Sequence, residues 1–160
     1  FKQDRLIVFV PAGHAWARKP RIDLADLAGK DLVLRERGSI TREVFEASLA
    51  AAAVRPGAII EVQTREAVRE AVAAGFGIGV VFRSEFGNDR RFVPLDVSGG
   101  QLGVAEYVAC LQERRDLALV RAFLDAATEA TAEASSASSS GRKVEGSTRR
   151  TSSTARRSPR

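Results

Sequence analysis

The sequence is poor in several residue types that build functional sites: its 160 residues include no Met, one Cys, one His, one Trp and one Tyr. With Cys110 alone an internal disulfide is impossible, which is typical of a protein from the reducing cytoplasm. One His and one Cys also leave no material for a His/Cys metal cluster or a Cys–His catalytic pair. We therefore expect a cytoplasmic protein that is not an enzyme and that uses no metal or cofactor.

Long apolar segments and an initiator Met are also missing. No apolar run approaches the ~18 residues that a membrane-spanning helix needs, so no membrane partner is expected. The chain begins with Phe1 and not with Met, from which we expect a fragment of a longer protein.

Positive charge is concentrated near the C-terminus. Residues 129–160 hold seven Arg or Lys and three Glu, which leaves 18 basic and 17 acidic residues in 1–128. The body of the chain therefore lacks the basic surface with which proteins bind nucleic acid through phosphates. Residues 129–160 are mainly Ser, Thr, Ala, Gly and Arg, with few apolar anchors, and this composition predicts a disordered basic tail behind one domain over 1–128.

The body alternates strand-like and helix-like segments. Apolar, β-branched runs predict strands, and apolar residues that share one face predict helices. The predicted strands are 5–10, 31–34, 58–62, 77–81, 92–97 and 104–111, and the predicted helices are 23–28, 40–53, 65–74 and 117–127. This alternation predicts an α/β fold with a mostly parallel sheet flanked by helices. Cys110 falls in the last strand and is expected in the core.

Three stretches resemble a known family. They are DRLIVFVPAGHAWA with IDLADLAG at 4–17 and 22–29, LVLRERGSITR at 32–42, and EVQTREAVREAVAAGFGIGVV at 61–81. In this order and spacing, residues 4–127 resemble the second half of LysR-type effector-binding domains. The resemblance implies a truncated lobe of the type 2 periplasmic-binding-protein-like fold, in which 104–127 return to the first lobe. Ala15 and Phe82 stand where the family usually has Pro.

The resemblance also implies a function. It implies an effector-sensing domain that binds a small anionic metabolite, controls DNA binding by a helix-turn-helix absent from this chain, and belongs to a homo-oligomer in the full-length protein. A finer resemblance of 65–81, 84–87 and 106–115 to regulators associated with aminoethylphosphonate catabolism implies 2-aminoethylphosphonate as the effector. The alternative is a solute-binding protein of a transport system with the same fold.

Two strand-to-helix junctions form the candidate effector site. A helix N-terminus attracts anions, and the first junction adds hydroxyl groups and basic side chains. The candidate residues are Arg37, Gly38, Ser39, Ile40, Thr41, Gln63, Thr64 and Phe82, with Arg42 and Arg65 nearby. Both junctions are expected at the carboxyl ends of strands, facing one cleft. The alternative is that Ser39 and Thr64 only cap their helices.

Overall fold

A computed structural model describes residues 2–140, which form two units, Lys2–Tyr107 and residues 108–140. The first unit contains the strands β1 (Lys2–Pro11), β2 (Arg21–Asp23), β3 (Leu32–Arg35), β4 (Ile59–Val62), β5 (Ile78–Phe82), β6 (Phe92–Ser98) and β7 (Gly103–Glu106). Helix α1 (Ile40–Ala51) connects β3 to β4, and α2 (Arg65–Ala73) connects β4 to β5. Short 3-10 turns cover Ala15–Arg18, Leu24–Leu27 and Arg83–Glu85.

The seven strands form one mixed sheet in the order β2-β6-β1-β5-β3-β4, with β7 paired to the N-terminal part of β1. The pairs β2-β6, β3-β4 and β3-β5 are parallel, whereas β1 is antiparallel to β5, β6 and β7. The predicted α/β class is confirmed, but the sheet is not mostly parallel. An apolar run shows that a strand is buried on both faces, and it carries no information about the direction of the neighbouring strands.

Both faces of the sheet are covered. Along β1, Leu6, Val8 and Val10 point into the core on the α1 side, and Ile7 and Phe9 into the core on the α2 side. Helix α1 contributes Phe45 and Leu49 to the first core, and α2 contributes Val68 and Val72 to the second. Because both faces of β1 are buried, its sequence contains the uninterrupted apolar run LIVFV.

Several local predictions are confirmed. Asp23 caps the 3-10 turn Leu24–Leu27 by accepting a hydrogen bond from the Ala25 N–H at 3.0 Å, and Asp26 completes a capping box. Gly75 follows α2 with φ of +83°, the left-handed conformation that glycine adopts at helix C-termini. Strand β2 was missed, because three residues are too few to show an alternating pattern.

Predictions for the segment after residue 103 are partly wrong. β7 ends at Glu106, so residues 107–111 are not a strand, and Cys110 is exposed and not part of the core. The predicted helix 117–127 is found as α3 (Ala118–Ser140), with Phe123 60% exposed instead of inward. α3 also continues past residue 129, where the composition predicted disorder, because the Ala-rich stretch favours a helix. The remainder of the predicted tail, 141–160, lies outside the described residues.

Among residues 2–140, no helix is both long enough and apolar enough to cross a membrane.

Gly79 occupies a position in β5 that has no room for a side chain. It faces Phe9 across the β1–β5 pair, and a Cβ on Gly79 would lie 2.3 Å from Phe9 Cζ. The Phe9 ring is held by the rings of Phe86 and Phe92, whose centroids lie 5.8 and 5.3 Å away. The glycine is therefore needed for packing between two central strands.

We expect Gly79→Ala to lower the free energy of unfolding by about 1–3 kcal/mol, because the added methyl group overpacks a rigid aromatic cluster. Urea denaturation of the 160-residue chain measures this change. Gly13→Ala is the matched control, since a Cβ there meets nothing within 4 Å, and its effect should stay within about 0.5 kcal/mol. Equal stability of the Gly79→Ala variant and the unsubstituted chain would contradict this account.

Candidate functional site

The carboxyl ends of three adjacent parallel strands define one edge of the sheet. These strands lie in the order β5-β3-β4. Helix α1 begins after β3, α2 begins after β4, and the Arg83–Glu85 turn begins after β5. The topology thus brings the predicted residues 37–41, 63–64 and 82 to one edge, which is where open α/β sheets commonly bind ligands.

The N-terminus of α1 is uncapped. Ser39 occupies the N-cap position, but its hydroxyl makes no capping hydrogen bond. The N–H groups of the first three helical residues, 40–42, have no acceptor among residues 2–140. Gly38 supplies the left-handed turn before the helix with φ of +90°. Ser39 therefore stands at the N-cap position without capping the helix through its hydroxyl, and the three N–H groups are unused by the described residues.

The N-terminus of α2 is different. The Thr64 hydroxyl accepts a hydrogen bond from the Ala67 N–H at 3.0 Å, so the capping alternative holds at this residue. Gln63 is exposed beside it. Arg65 begins the helix and pairs with Glu85 Oε1 at 2.8 Å, which ties α2 to the Arg83–Glu85 turn.

The remaining predicted residues differ in their exposure. Arg37 and Ile40 are exposed, and Arg37 makes no hydrogen bond or ion pair with any part of the chain that the structure describes. Thr41 is 9% exposed, and Phe82, at 8%, belongs to the core on the α1 side. The Phe82 side chain therefore supports this edge from within the core.

Arg42 is not free to bind an anion. It is 6% exposed and donates hydrogen bonds to Glu46 Oε1 at 2.8 Å, to the Arg35 carbonyl at 3.0 Å and to Glu61 Oε2 at 2.5 Å. The hydrogen bond with Glu46, assisted by Glu61, raises the pKa of the Arg42 guanidinium. Arg42 joins α1 to the ends of β3 and β4, and the prediction that it pairs with an effector is corrected to this structural role.

A small cavity of about 10 Å³ lies behind the edge, between α2, the first turn of α1 and the Arg83–Glu85 turn. Its lining residues are Phe9, Arg35, Thr41, Arg65, Val68, Arg69, Val80, Val81 and Glu85. Only Thr41 and Arg65 among them were considered at the sequence level as candidate or neighbouring residues. Four of these residues are charged: Arg69, Arg35, which pairs with Glu36, and Arg65 and Glu85, which pair with each other.

Arg69 is the most unusual group in this cavity. Its Nη2 donates to the Glu85 carbonyl at 3.1 Å and to the Phe86 carbonyl, while its Nη1 is fully buried without any acceptor among the described residues. The guanidinium carbon lies 5.9 Å from the centre of the Phe9 ring and 5.5 Å from that of Phe86. An unsatisfied buried donor of a charged group is costly, at roughly 1–3 kcal/mol or more.

The sequence held a weak signal for Arg69. It follows Val68 in the stripe that α2 buries and lies one helical turn after Arg65, so the two arginines share one side of the helix. A basic residue beside an apolar stripe more often extends into solvent than inward, and only the packed fold shows that Arg69 lies inside.

The Arg83–Glu85 turn is held at the edge by Asp4. The Asp4 carboxylate accepts hydrogen bonds from the Arg5 N–H at 2.8 Å and from the hydroxyl and N–H of Ser84. Burial alone would raise the pKa of Asp4, but the hydrogen bonds from Ser84 and Arg5 outweigh it and lower the pKa below the usual range. The ionised carboxylate thus fixes the turn to β1.

The architecture described here agrees with one protein family. The family model described as the LysR substrate binding domain matches residues 1–132. The chain belongs to the LysR substrate-binding domain family. Several relatives of this LysR-family domain are named transcription regulators.

Two regulators illustrate the relationship. The HTH-type transcriptional regulator CbbR of Rhodospirillum rubrum is 33% identical over 129 residues, which are 76% of this chain and 42% of CbbR. The HTH-type transcriptional regulator CysL of Bacillus subtilis is 33% identical over 89 residues, which are 56% of this chain and 30% of CysL. The LysR-family domain thus spans less than half the length of these relatives.

Solved structures agree on the fold. The regulatory domain of CcmR from Synechocystis PCC6803, in complex with 2-PG, superposes with a TM-score of 0.62 at 24% identity, covering 78% of this chain and 62% of that domain. The effector-binding domain of QuiR, in complex with shikimate, gives a TM-score of 0.56 at 19% identity, covering 69% of this chain and 56% of that domain. Together they confirm the effector-binding-domain fold.

We expect Arg42→Gln to lower the free energy of unfolding of the LysR-family domain by about 1–3 kcal/mol, because it leaves Glu46, Glu61 and a carbonyl without their donor. Urea denaturation measures the loss. Arg37→Gln removes the same charge from an exposed, unpaired side chain and should change stability by less than about 0.5 kcal/mol. Similar values for the two variants would contradict the structural role of Arg42.

The Asp4 hydrogen bonds predict a pH-dependent contribution to stability. Because the pKa of Asp4 is lowered on folding, its carboxylate stabilises the fold above the unfolded value near 3.8, and this contribution is lost as the pH falls through the folded value. Asp4→Asn should therefore destabilise the chain at about pH 6, and the difference from the unsubstituted chain should shrink toward about pH 3.

Urea denaturation across this pH range checks the effect of Asp4→Asn. Asp125→Asn, at an exposed position of α3, serves as the control and should change the free energy of unfolding by less than about 0.5 kcal/mol. A gap between the Asp4→Asn variant and the unsubstituted chain that stays constant with pH would contradict the assignment.

Proposed function

We propose that this chain is the effector-sensing part of a transcription regulator, and that a small anionic metabolite binds at the edge formed by β3, β4 and β5. The uncapped N-terminus of α1 carries the proposal. Its N–H groups at 40–42 have no acceptor in the described residues, the Ser39 hydroxyl is unused, and Arg37 beside it is unpaired. Donors, a helix dipole and a free cation on one loop favour an anion over a neutral or cationic ligand.

The energetics of this site suit a small anion. A hydrogen bond to a charged group contributes about 1.5–3 kcal/mol, and the α1 N-terminus offers several such donors. The relatives of this family are named HTH-type regulators, so the response to the ligand is read out by a helix-turn-helix outside this chain. An oligomer of the full-length protein would carry the change to DNA.

The regulator must have two states with different affinities for the effector. Shifting a population from 1:99 to 99:1 takes about 5.5 kcal/mol of differential binding, which exceeds one charge-assisted contact. Contacts from a second lobe are therefore part of the proposal.

A solute-binding protein for transport would share the fold, but the names of the relatives favour regulation, and they likewise favour a protein that is not an enzyme.

The finer suggestion that 2-aminoethylphosphonate is the effector has no support from the relatives reported above. Its phosphonate suits the α1 N-terminus, but its ammonium group needs a carboxylate partner. Glu36, just before α1, is one such residue, but both of its carboxylate oxygens already bind Arg35, at 2.7 and 2.8 Å, so a group on the missing lobe is the other source. The compound remains one member of a ligand panel.

The test uses the full-length regulator that contains this chain. Calorimetric titration compares 2-aminoethylphosphonate, 2-PG, shikimate and a neutral carboxamide, and the DNA affinity of the regulator is measured with and without each compound. We expect anions alone to bind and to change DNA affinity, and Ser39→Ala to weaken binding by roughly tenfold.

Arg55→Gln is the matched control for these titrations. Arg55 is exposed and lies just before β4, at the opposite edge of the sheet, so the substitution should leave the affinity unchanged. Binding of the neutral compound alone, or an effect of Arg55→Gln equal to that of Ser39→Ala, would overturn the proposed site.

A further inference from the structure

The cavity behind the edge has the properties of a binding site for one oxygen atom of an anion. We propose that Arg69 binds an oxygen of the effector's anionic group inside this cavity, through its buried Nη1. The proposal rests on the proposed function and deepens it, because it assigns the anionic group a position within this lobe. The ligand class is a carboxylate, phosphate or phosphonate, which share the required anionic oxygen.

The hydrogen bonding of Arg69 is incomplete in a way that points to a ligand. Nη2 is fully used by the Glu85 and Phe86 carbonyls, while Nη1 is buried and has no acceptor within residues 2–140. Arg69 also forms no ion pair with a described carboxylate, although its neighbour Arg65 pairs with Glu85. The guanidinium packs against Phe9 and Phe86, and Asp89 interacts with it electrostatically without forming an ion pair. An anion at Nη1 would supply the acceptor that this buried atom lacks.

The comparison with Arg42 strengthens this inference. Arg42 is equally part of the edge, but two carboxylates and a carbonyl satisfy its guanidinium. The fold thus gives Arg42 two directly bonded carboxylates, whereas Arg69 has only carbonyl acceptors and an electrostatic interaction with Asp89 that is not an ion pair. A purely structural Arg69 would gain from an internal partner of the same kind.

The lining residues differ in exposure, which shows which side of the cavity faces solvent. Phe9, Thr41 and Val68 are buried and form its floor, whereas the side chains of Arg65 and Glu85 are 54% and 26% exposed and lie toward solvent. The volume of about 10 Å³ admits one water-sized group. The cavity therefore accepts a single terminal oxygen, while the rest of the ligand stays at the edge near the α1 N-terminus, to which Thr41 belongs.

The Arg65–Glu85 ion pair at 2.8 Å lies at this outer side and influences binding. The Glu85 carboxylate repels an incoming anion and competes with it for Arg65. Removal of the Glu85 charge is therefore expected to increase anion affinity, while replacement of Arg69 reduces it. Opposite effects from two residues that line one cavity distinguish binding there from a general response to net charge.

The experiment uses the 160-residue chain, because the whole cavity lies within it. Side-chain NMR of ¹⁵N-labelled arginine follows the Arg69 guanidinium during titration with acetate, inorganic phosphate and acetamide at constant ionic strength. Acetamide has the shape of acetate without its charge. Acetate and phosphate should shift the Arg69 signals with a Kd on the order of 10 mM, and acetamide should not.

Variants then test the assignment through the backbone amide signals of Thr41 and Val68. Arg69→Lys keeps the charge but lacks the Nη1 donor, and it should raise the Kd for acetate by about tenfold. Glu85→Gln should lower that Kd several-fold. Arg55→Gln, at the opposite edge, should leave it unchanged.

Either of two results of these titrations would overturn the proposal. Arg69 signals that stay unmoved at about 100 mM acetate or phosphate, or that respond equally to acetamide, show that the cavity holds water only. If Arg69→Lys fails to fold, the titration of the unsubstituted chain and the Glu85→Gln variant still decide. Acetate binding at Arg69 combined with a full-length regulator whose DNA affinity ignores every anion would leave the cavity assignment standing and overturn the proposed function.

Discussion

Strand β3 lies between two parallel partners, β5 and β4, and the register of these three strands determines where the residues of the candidate site meet. Helices α1 and α2 cover opposite faces of the sheet. They nevertheless begin at the same edge, because both follow strands that run in the same direction. A slip of β3 by one residue would turn Val33 away from the α2 core and Leu32 and Leu34 away from the α1 core. The apolar packing of both faces therefore fixes the geometry of the candidate site.

Burial of charge at this edge follows two different patterns. Arg42 is enclosed by carboxylates and a carbonyl, so its charge is neutralised within the fold and it acts as a brace between α1, β3 and β4. Arg69 is enclosed mainly by aromatic rings and by carbonyls that occupy only Nη2. Because a buried donor without an acceptor is unfavourable, the Nη1 of Arg69 is left for a ligand, whereas Arg42 donates to acceptors within the fold.

Sequence patterns were sufficient for elements that bury a regular apolar face. The run in β1, the stripe of α2 and the glycine after it each correspond to one physical requirement, and all are found in the structure. The segment after Glu106 was misread, because residues 107–111 contain apolar side chains that the described fold leaves largely exposed. The local sequence does not show whether an apolar side chain packs against residues that are distant in the chain.

The position of the candidate site at this edge could be predicted from the sequence, but the hydrogen bonds of its residues could not. The strand order places both strand-to-helix junctions at one edge. Whether each N-cap hydroxyl bonds its helix depends on the rotamer of that one side chain. Thr64 caps its helix and Ser39 does not, although both are hydroxyl residues at N-cap positions. Arg69 was missed for a related reason. The pattern of a helix gives the face on which a residue lies, but the direction of a long flexible side chain at the border of that face depends on the packing around it.

Thr41 connects the two parts of the proposed site. It lies in the uncapped first turn of α1 and also lines the cavity that contains Arg69 on α2. A ligand that contacts both would link elements on opposite faces of the sheet and, through Glu85, the turn after β5. Such a ligand would add its contacts to those that the Arg65–Glu85 ion pair and the Arg69 hydrogen bonds already make between these elements. A regulator needs this property, since a ligand shifts an equilibrium only by the difference in its contacts between two states. The buried Nη1 of Arg69, which has no acceptor among the described residues, is where the proposed ligand would make such a contact.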